Sequence, residues 1–214
     1  MMDSNINLGI IDYGFCNINS VYSACSDITS NVNVINSADD IKNYEKIILP
    51  GVGNFEAAVK KLNQTGFFDS IIEHVNKKRD LLGICLGMQL LFNQSEESTK
   101  NINGLGLLSG NVLDLNNFVD TDTPVPHMGW SELSIKDFNN KIVNEISEGS
   151  SFYFANSYFC NVEQKSIVAT FEHGDKEFPA VVSNNFNVFG VQFHPEKSQA
   201  KGIQIIKNFL NVKK

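Results

Sequence analysis

The chain has 214 residues, enough for one well-buried domain and short for two. Its composition, 42% hydrophobic and 19% charged, is that of a globular protein and excludes extended disorder. A net charge of −7, with Arg79 the only arginine, excludes a general nucleic-acid role, because neutralising phosphates needs clustered Lys and Arg.

The first half alternates short apolar runs with helical stretches. Residues 8–12 read as a buried strand ending at Tyr13-Gly14. Ile18, Val21, Tyr22, Cys25 and Ile28 recur at helical intervals, which predicts a helix over 17–28. A short strand is expected at 32–35, then a polar stretch at 36–44 and a buried strand at 46–49 closed by Pro50-Gly51. Helices are expected over 54–62 and 67–78, and a further apolar run at 81–84 leads straight into Cys85. Strands separated by helices imply a parallel sheet with right-handed crossovers, hence an α/β fold. Ligands of such sheets sit beyond the carboxyl ends of the strands. Three glycine-bearing turns fall there and are expected to converge: Asp12-Tyr13-Gly14, Pro50-Gly51-Val52-Gly53 and Gly83-Ile84-Cys85-Leu86-Gly87.

The second half carries more β signal, with strands expected at 107–115, 131–135, 151–158, 167–171, 180–183 and 188–193. Residues 114–126 read as a polar surface connection. A last amphipathic helix is expected over 198–210, with Ile203, Ile206 and Phe209 on one face. The expectation is one α/β domain over 1–214, its central sheet mostly parallel and flanked by helices, with additional antiparallel strands in the second half.

Residues 1–5 lack a basic n-region and the apolar core, about 7–15 residues long, of a signal peptide. No apolar run approaches the ~18 residues that span a bilayer. A cytoplasmic protein with no membrane or nucleic-acid partner is therefore expected. Cys16, Cys25, Cys85 and Cys160 lack C-x-x-C spacing, and His74, His127, His173 and His194 lack ligand spacing, so no metal and no cofactor is expected.

Gly83-Ile84-Cys85-Leu86-Gly87 has the strand–G-x-C-x-G–helix layout of a nucleophile elbow, with Met88 to Phe92 supplying the helix. The sharp turn lifts the thiol above the sheet, and the helix N-terminus favours thiolate. A buried cysteine in a strand–helix turn would share the pattern. The partner signal is His194-Pro195-Glu196 on a late strand. Residues i and i+2 of an extended chain project to one side, so Glu196 can hold the Nδ1–H of His194 and leave Nε2 facing a thiol. That is a nucleophile, a base and an orienting carboxylate. The Pro50–Gly53 turn would offer a backbone N–H, from Val52 or Gly53, that joins the N–H of Leu86 as an oxyanion hole. A plain turn after a strand reads the same way.

These blocks resemble the class I (triad-type) glutamine amidotransferases, and among them the glutaminase subunits of imidazole glycerol phosphate synthase. The likeness covers nearly the whole chain, through Pro126-His127-Met128-Gly129-Trp130, Phe152-Tyr153-Phe154 and Gly190-Val191-Gln192-Phe193-His194-Pro195-Glu196-Lys197-Ser198. The resemblance implies the family's fold and glutamine hydrolysis to glutamate and ammonia by Cys85, His194 and Glu196. It implies glutamine-binding positions at Gly53, Gln89, Glu97, Asn156, Ser157 and Tyr158. It also implies ammonia transfer, within a heterodimer, to a (β/α)8 cyclase subunit of histidine biosynthesis, met by Asn17, Met128, Trp130 and Lys197. The family usually has glycine where this chain has Cys16, and histidine where it has Asn156. Those departures keep open a paralogous glutaminase serving another synthase, such as one that aminates a surface-polysaccharide sugar. A non-catalytic module on the same fold is a separate alternative, against which the intact Cys85, His194 and Glu196 argue.

Overall fold

The computed structural model describes residues 7–98 and 102–212. Residues 1–5, where no leader is expected, lie outside them. In chain order the elements are β1 (Leu8–Ile11), α1 (Ile18–Ser26), β2 (Val32–Ile35), β3 (Lys46–Gly51), α2 (Phe55–Gln64), α3 (Phe67–Asn76), β4 (Asp80–Cys85) and α4 (Leu86–Gln89). There follow β5 (Gln94–Ser95), β6 (Gly110–Asp114), β7 (His127–Ile135), β8 (Ser151–Asn156), β9 (Tyr158–Val162), β10 (Ile167–His173), β11 (Lys176–Ser183), β12 (Val188–Val191) and α5 (Gln199–Asn211).

A nine-stranded sheet runs β2-β1-β3-β4-β12-β11-β10-β7-β8, and a three-stranded sheet runs β5-β6-β9. The first five strands of the large sheet are parallel, and from β11 onward the pairing is antiparallel. Strands β1, β3, β4 and β12 are buried along their length, because parallel strands are covered on both faces. Alternate residues feed two cores. Ile10, Ile48 and Leu82 pack with Val21 of α1 and Ile206 and Phe209 of α5. Ile11, Ile47 and Leu81 pack on the other face with Phe55 and Leu62 of α2 and Ile71 of α3. Asn54 starts α2 by accepting the Ala57 N–H at 3.0 Å. Among the described residues no helix is long and apolar enough to cross a membrane.

Four expectations need correction. The 151–158 run is two strands. It breaks at Ser157, where β8 leaves the large sheet and β9 begins pairing with β6. The unbroken aromatic run hides that corner. The 107–115 strand shrinks to β6, because the N–H groups of Leu107 and Leu108 turn back to the Leu91 carbonyl. The 88–92 helix is only the single turn of α4. Gly104, Leu105 and Leu107 donate to the carbonyls of Asn93, Leu90 and Leu91 and divert the chain. The 188–193 strand stops at Val191, and His194 stands outside it. The 114–126 connection also contains a 3-10 turn, Leu115–Asn117, with Leu115 fully buried.

Candidate active site

Strand β4 ends at Cys85 between β3 and β12. Gly51 of β3 pairs with Cys85, and Val191 of β12 pairs with Ile84. The chain leaving β3 therefore enters the glycine turn beside Cys85, and the chain leaving β12 reaches it with Gln192 to His194. Cys85 sits at φ 54° and ψ −112°, outside the usual regions for an L-residue. Holding such a residue costs about 1–3 kcal/mol, which the packed turn sustains. A Cβ on Gly87 would lie 1.8 Å from the Leu49 carbonyl oxygen, so the elbow closes only with glycine there. Because α4 is one turn, few peptide dipoles align behind the sulfur, and the helix contribution expected from sequence is slight.

His194 faces that sulfur. Its Nδ1 lies 2.8 Å from Glu196 Oε1, both side chains at most 5% exposed. The pairing does not come from extended chain, as the spacing suggested. His194 precedes a 3-10 turn, Pro195–Lys197, and that turn folds Glu196 back under the ring. Ser198 staples the turn: its Oγ donates to the His194 carbonyl at 2.6 Å and accepts the Tyr153 N–H at 3.0 Å. Burial opposes a charge on His194, but hydrogen bonds to Cys85 and Glu196 outweigh it and push the imidazole up to about 10. A thiol, an imidazole held protonated and a buried carboxylate can together deliver a nucleophile and return a proton to a leaving group.

Cys85 and His194 open onto a cleft of about 300 Å³ whose walls include Gly53, Gln89, Glu97, Asn156, Ser157 and Tyr158, with Lys197 at its rim. All six expected glutamine-binding positions are thus brought together. The glutamine amidotransferase class-I family model matches residues 9–212, the elbow, the cleft and the His194 turn included.

The chain belongs to the class I glutamine amidotransferases. Imidazole glycerol phosphate synthase subunit HisH of Caldanaerobacter subterraneus subsp. tengcongensis is 42% identical over 203 residues, 94% of this chain and 96% of that one. The subunit of the same name from Methanocaldococcus jannaschii is 42% identical over 206 residues, 96% and 99% of the two chains. Among solved structures, PurLQS from Thermotoga maritima superimposes with a TM-score of 0.74 over 99% of each chain at 19% identity, a likeness of fold.

This amidotransferase departs from the oxyanion expectation at Val52. Its N–H donates to the Phe15 carbonyl at 2.7 Å, so in this conformation it is already engaged. Gly53, at φ +98°, and Leu86, at the start of α4, remain beside the sulfur. The departure at Cys16 is accommodated without strain, since Gly14 at φ +89° makes the turn and Cys16 Sγ lies 3.7 Å from Asp12 Oδ1. Asn156 spends Nδ2 on the Tyr158 carbonyl at 3.0 Å and keeps a buried Oδ1 with no partner among the described residues. Glu97 accepts the Phe55 N–H at 2.6 Å, tying the cleft wall to α2.

Three of the expected partner positions, Met128, Trp130 and Lys197, share one exposed rim. Met128 and Trp130, 65% and 49% exposed, alternate outward on β7. Trp130 meets the Tyr153 ring edge-on, and Lys197 Nζ sits 5.6 Å from the same ring. Asn17 is exposed at the start of α1.

Sequence reasoning passed over two groups beside Cys85. Tyr13 is fully buried against Gly51 with its hydroxyl unpartnered among the described residues. Gln192 Nε2 lies 3.9 Å from Cys85 Sγ. The only signal for Gln192 was its place two residues before His194.

Proposed function

We propose that this chain is, over its full length, the glutaminase subunit of an imidazole glycerol phosphate synthase. Cys85 attacks the side-chain carbonyl of glutamine, and the imidazolium of His194, oriented by Glu196, protonates the departing ammonia. Water then hydrolyses the thioester to glutamate, with His194 taking the proton. Ammonia passes to a separate (β/α)8 cyclase subunit seated on the Met128–Trp130–Lys197 rim.

The observation that carries this reading is the buried His194, bonded to both Cys85 and Glu196 at the floor of the cleft. The names of its relatives, matched over nearly the whole of both chains, support the choice of synthase. A single arginine in the chain suits a subunit that leaves phosphate binding to its partner. The Val52–Phe15 bond supports low turnover for the free subunit, because one oxyanion donor is held elsewhere until the loop turns over. Loss of one such donor costs about 10²–10³ in kcat.

The test is glutamate release from glutamine by the purified chain, alone and with a (β/α)8 cyclase and its nucleotide. Activation of about 100-fold or more by the partner is expected. Cys85→Ala is expected to abolish turnover while leaving partner binding intact. Turnover that ignores the cyclase would point to another synthase, and turnover surviving in Cys85→Ala would remove Cys85 from the mechanism.

A further inference from the structure

We propose that Gln192 is a positioning residue for Cys85, holding the sulfur with an amide N–H whose direction is dictated by a backbone carbonyl in the cleft wall. The proposal rests on the glutaminase reading only in taking Cys85 as the nucleophile. The Tyr158 carbonyl can accept but never donate, and Gln89 Nε2 lies 3.3 Å from it. The same Nε2 lies 3.3 Å from Gln192 Oε1. Gln89 must therefore present its NH₂ group to both oxygens. Gln192 must turn its own oxygen toward Gln89, which leaves its Nε2 facing Cys85 Sγ at 3.9 Å. Reversing Gln89 would set its carbonyl oxygen against those of Tyr158 and Gln192, and reversing Gln192 alone would set two NH₂ groups against each other.

Gln192 has no exposed surface, so water does not compete for these bonds. Its backbone N–H donates to the Ala180 carbonyl at 2.8 Å, which pins it to the sheet just beyond β12. The sulfur is thus gripped from two sides, by His194 and by Gln192. A neutral thiol is a poor acceptor and a thiolate a strong one, so the Gln192 N–H favours the reactive form. This fills a role that the single turn of α4 is too short to perform alone.

The test follows the pH dependence of Cys85 alkylation by iodoacetamide in the full chain, read by mass spectrometry of the peptide that carries Cys85. Gln192→Met removes the donor at similar volume. Gln192→Glu keeps the shape and places a carboxylate against the sulfur. The alkylation midpoint is expected to move alkaline by about one pH unit in Gln192→Met, a tenfold loss of thiolate at fixed pH, and further in Gln192→Glu. Gln89→Met leaves Gln192 in place but frees its amide to turn, and a smaller shift in the same direction is expected. A merely structural role would lower Tm without producing this order. Should Gln192→Met fail to fold, the shape-preserving Gln192→Glu carries the test. A midpoint within about 0.3 unit of wild type in a folded Gln192 variant overturns the proposal. A shifted midpoint in a chain that turns over no glutamine would uphold the sulfur contact and defeat the glutaminase reading instead.

Discussion

At the scale of single residues, the active site depends on charges that burial alone would forbid. His194 is expected to titrate near 10 because Cys85 and Glu196 outweigh the cost of its burial. A raised imidazole stabilises the fold fully below its ordinary value of 6.5, and that contribution is lost as pH rises toward 10. In Glu196→Gln the contribution is expected to be smaller and its loss complete at a lower pH, which Tm measured against pH reads directly. Glutamine turnover in the same variant is expected to fall on the order of 10²–10⁴, short of the complete loss in Cys85→Ala, because the ring stays in place without its charged orienter. His127 behaves in the opposite sense. It packs against the Phe154 and Phe171 rings with His173 at 4.3 Å, and burial together with that neighbour lowers it to about 4. The unfolded chain then binds a proton that the folded chain refuses, so this site costs stability as pH falls from 6.5 to 4. His127→Gln is expected to flatten the fall of Tm across that window, and an unchanged slope would refute the assignment.

At the scale of elements, the His194 turn and helix α5 form one unit. Glycine inside an exposed helix is normally improved by alanine, by about 1 kcal/mol. Gly202 of α5 is the exception, because an added Cβ would stand 1.9 Å from the Pro195 carbonyl oxygen, a backbone atom that cannot swing away. Gly202→Ala is expected to cost about 1–3 kcal/mol through overpacking. The displaced backbone is the turn that folds Glu196 under His194, so kcat is expected to fall with Tm. Lys201→Ala, on the exposed side of the same helix, is the control that should change neither. The elbow obeys the same logic at Gly87, where strand β3 passes too close for any side chain.

For the molecule as a whole, chemistry and anchorage sit at opposite ends of the parallel strands. Lys46 and Asp80 pair at the amino ends of β3 and β4, each side chain 6% exposed. Lys46 also donates to the Val212 carbonyl at 2.9 Å and lies 5.3 Å over the Phe209 ring, which ties the end of α5 to the sheet. Asp80 and Cys85 are the two ends of the six-residue β4, about 16 Å apart at the usual rise. Asp80→Ala leaves a buried ammonium without its carboxylate and is expected to cost about 3–5 kcal/mol. Chemical denaturation should show that loss, while kcat/KM at a temperature below unfolding stays at the wild-type value. A matching fall in kcat/KM would mean that the two ends are coupled.

By itself the sequence determined the α/β class, most strands and helices of the first half, the three converging turns and the grouping of Cys85, His194 and Glu196. These are local matters. Apolar runs of strand length, helical spacing and glycine-flanked turns are written within a few residues of one another. Only the tertiary structure decided that 151–158 is two strands in two sheets, because sheet membership depends on partners distant in the chain. It alone set Glu196 under His194 by a 3-10 turn, committed the Val52 N–H to Phe15 and aimed Gln192 at Cys85. Each of those is a contact between segments far apart in sequence or a hydrogen bond whose direction a third group imposes. Neither composition nor spacing carries that information, since a backbone N–H or a side-chain amide has the same identity whichever way it points.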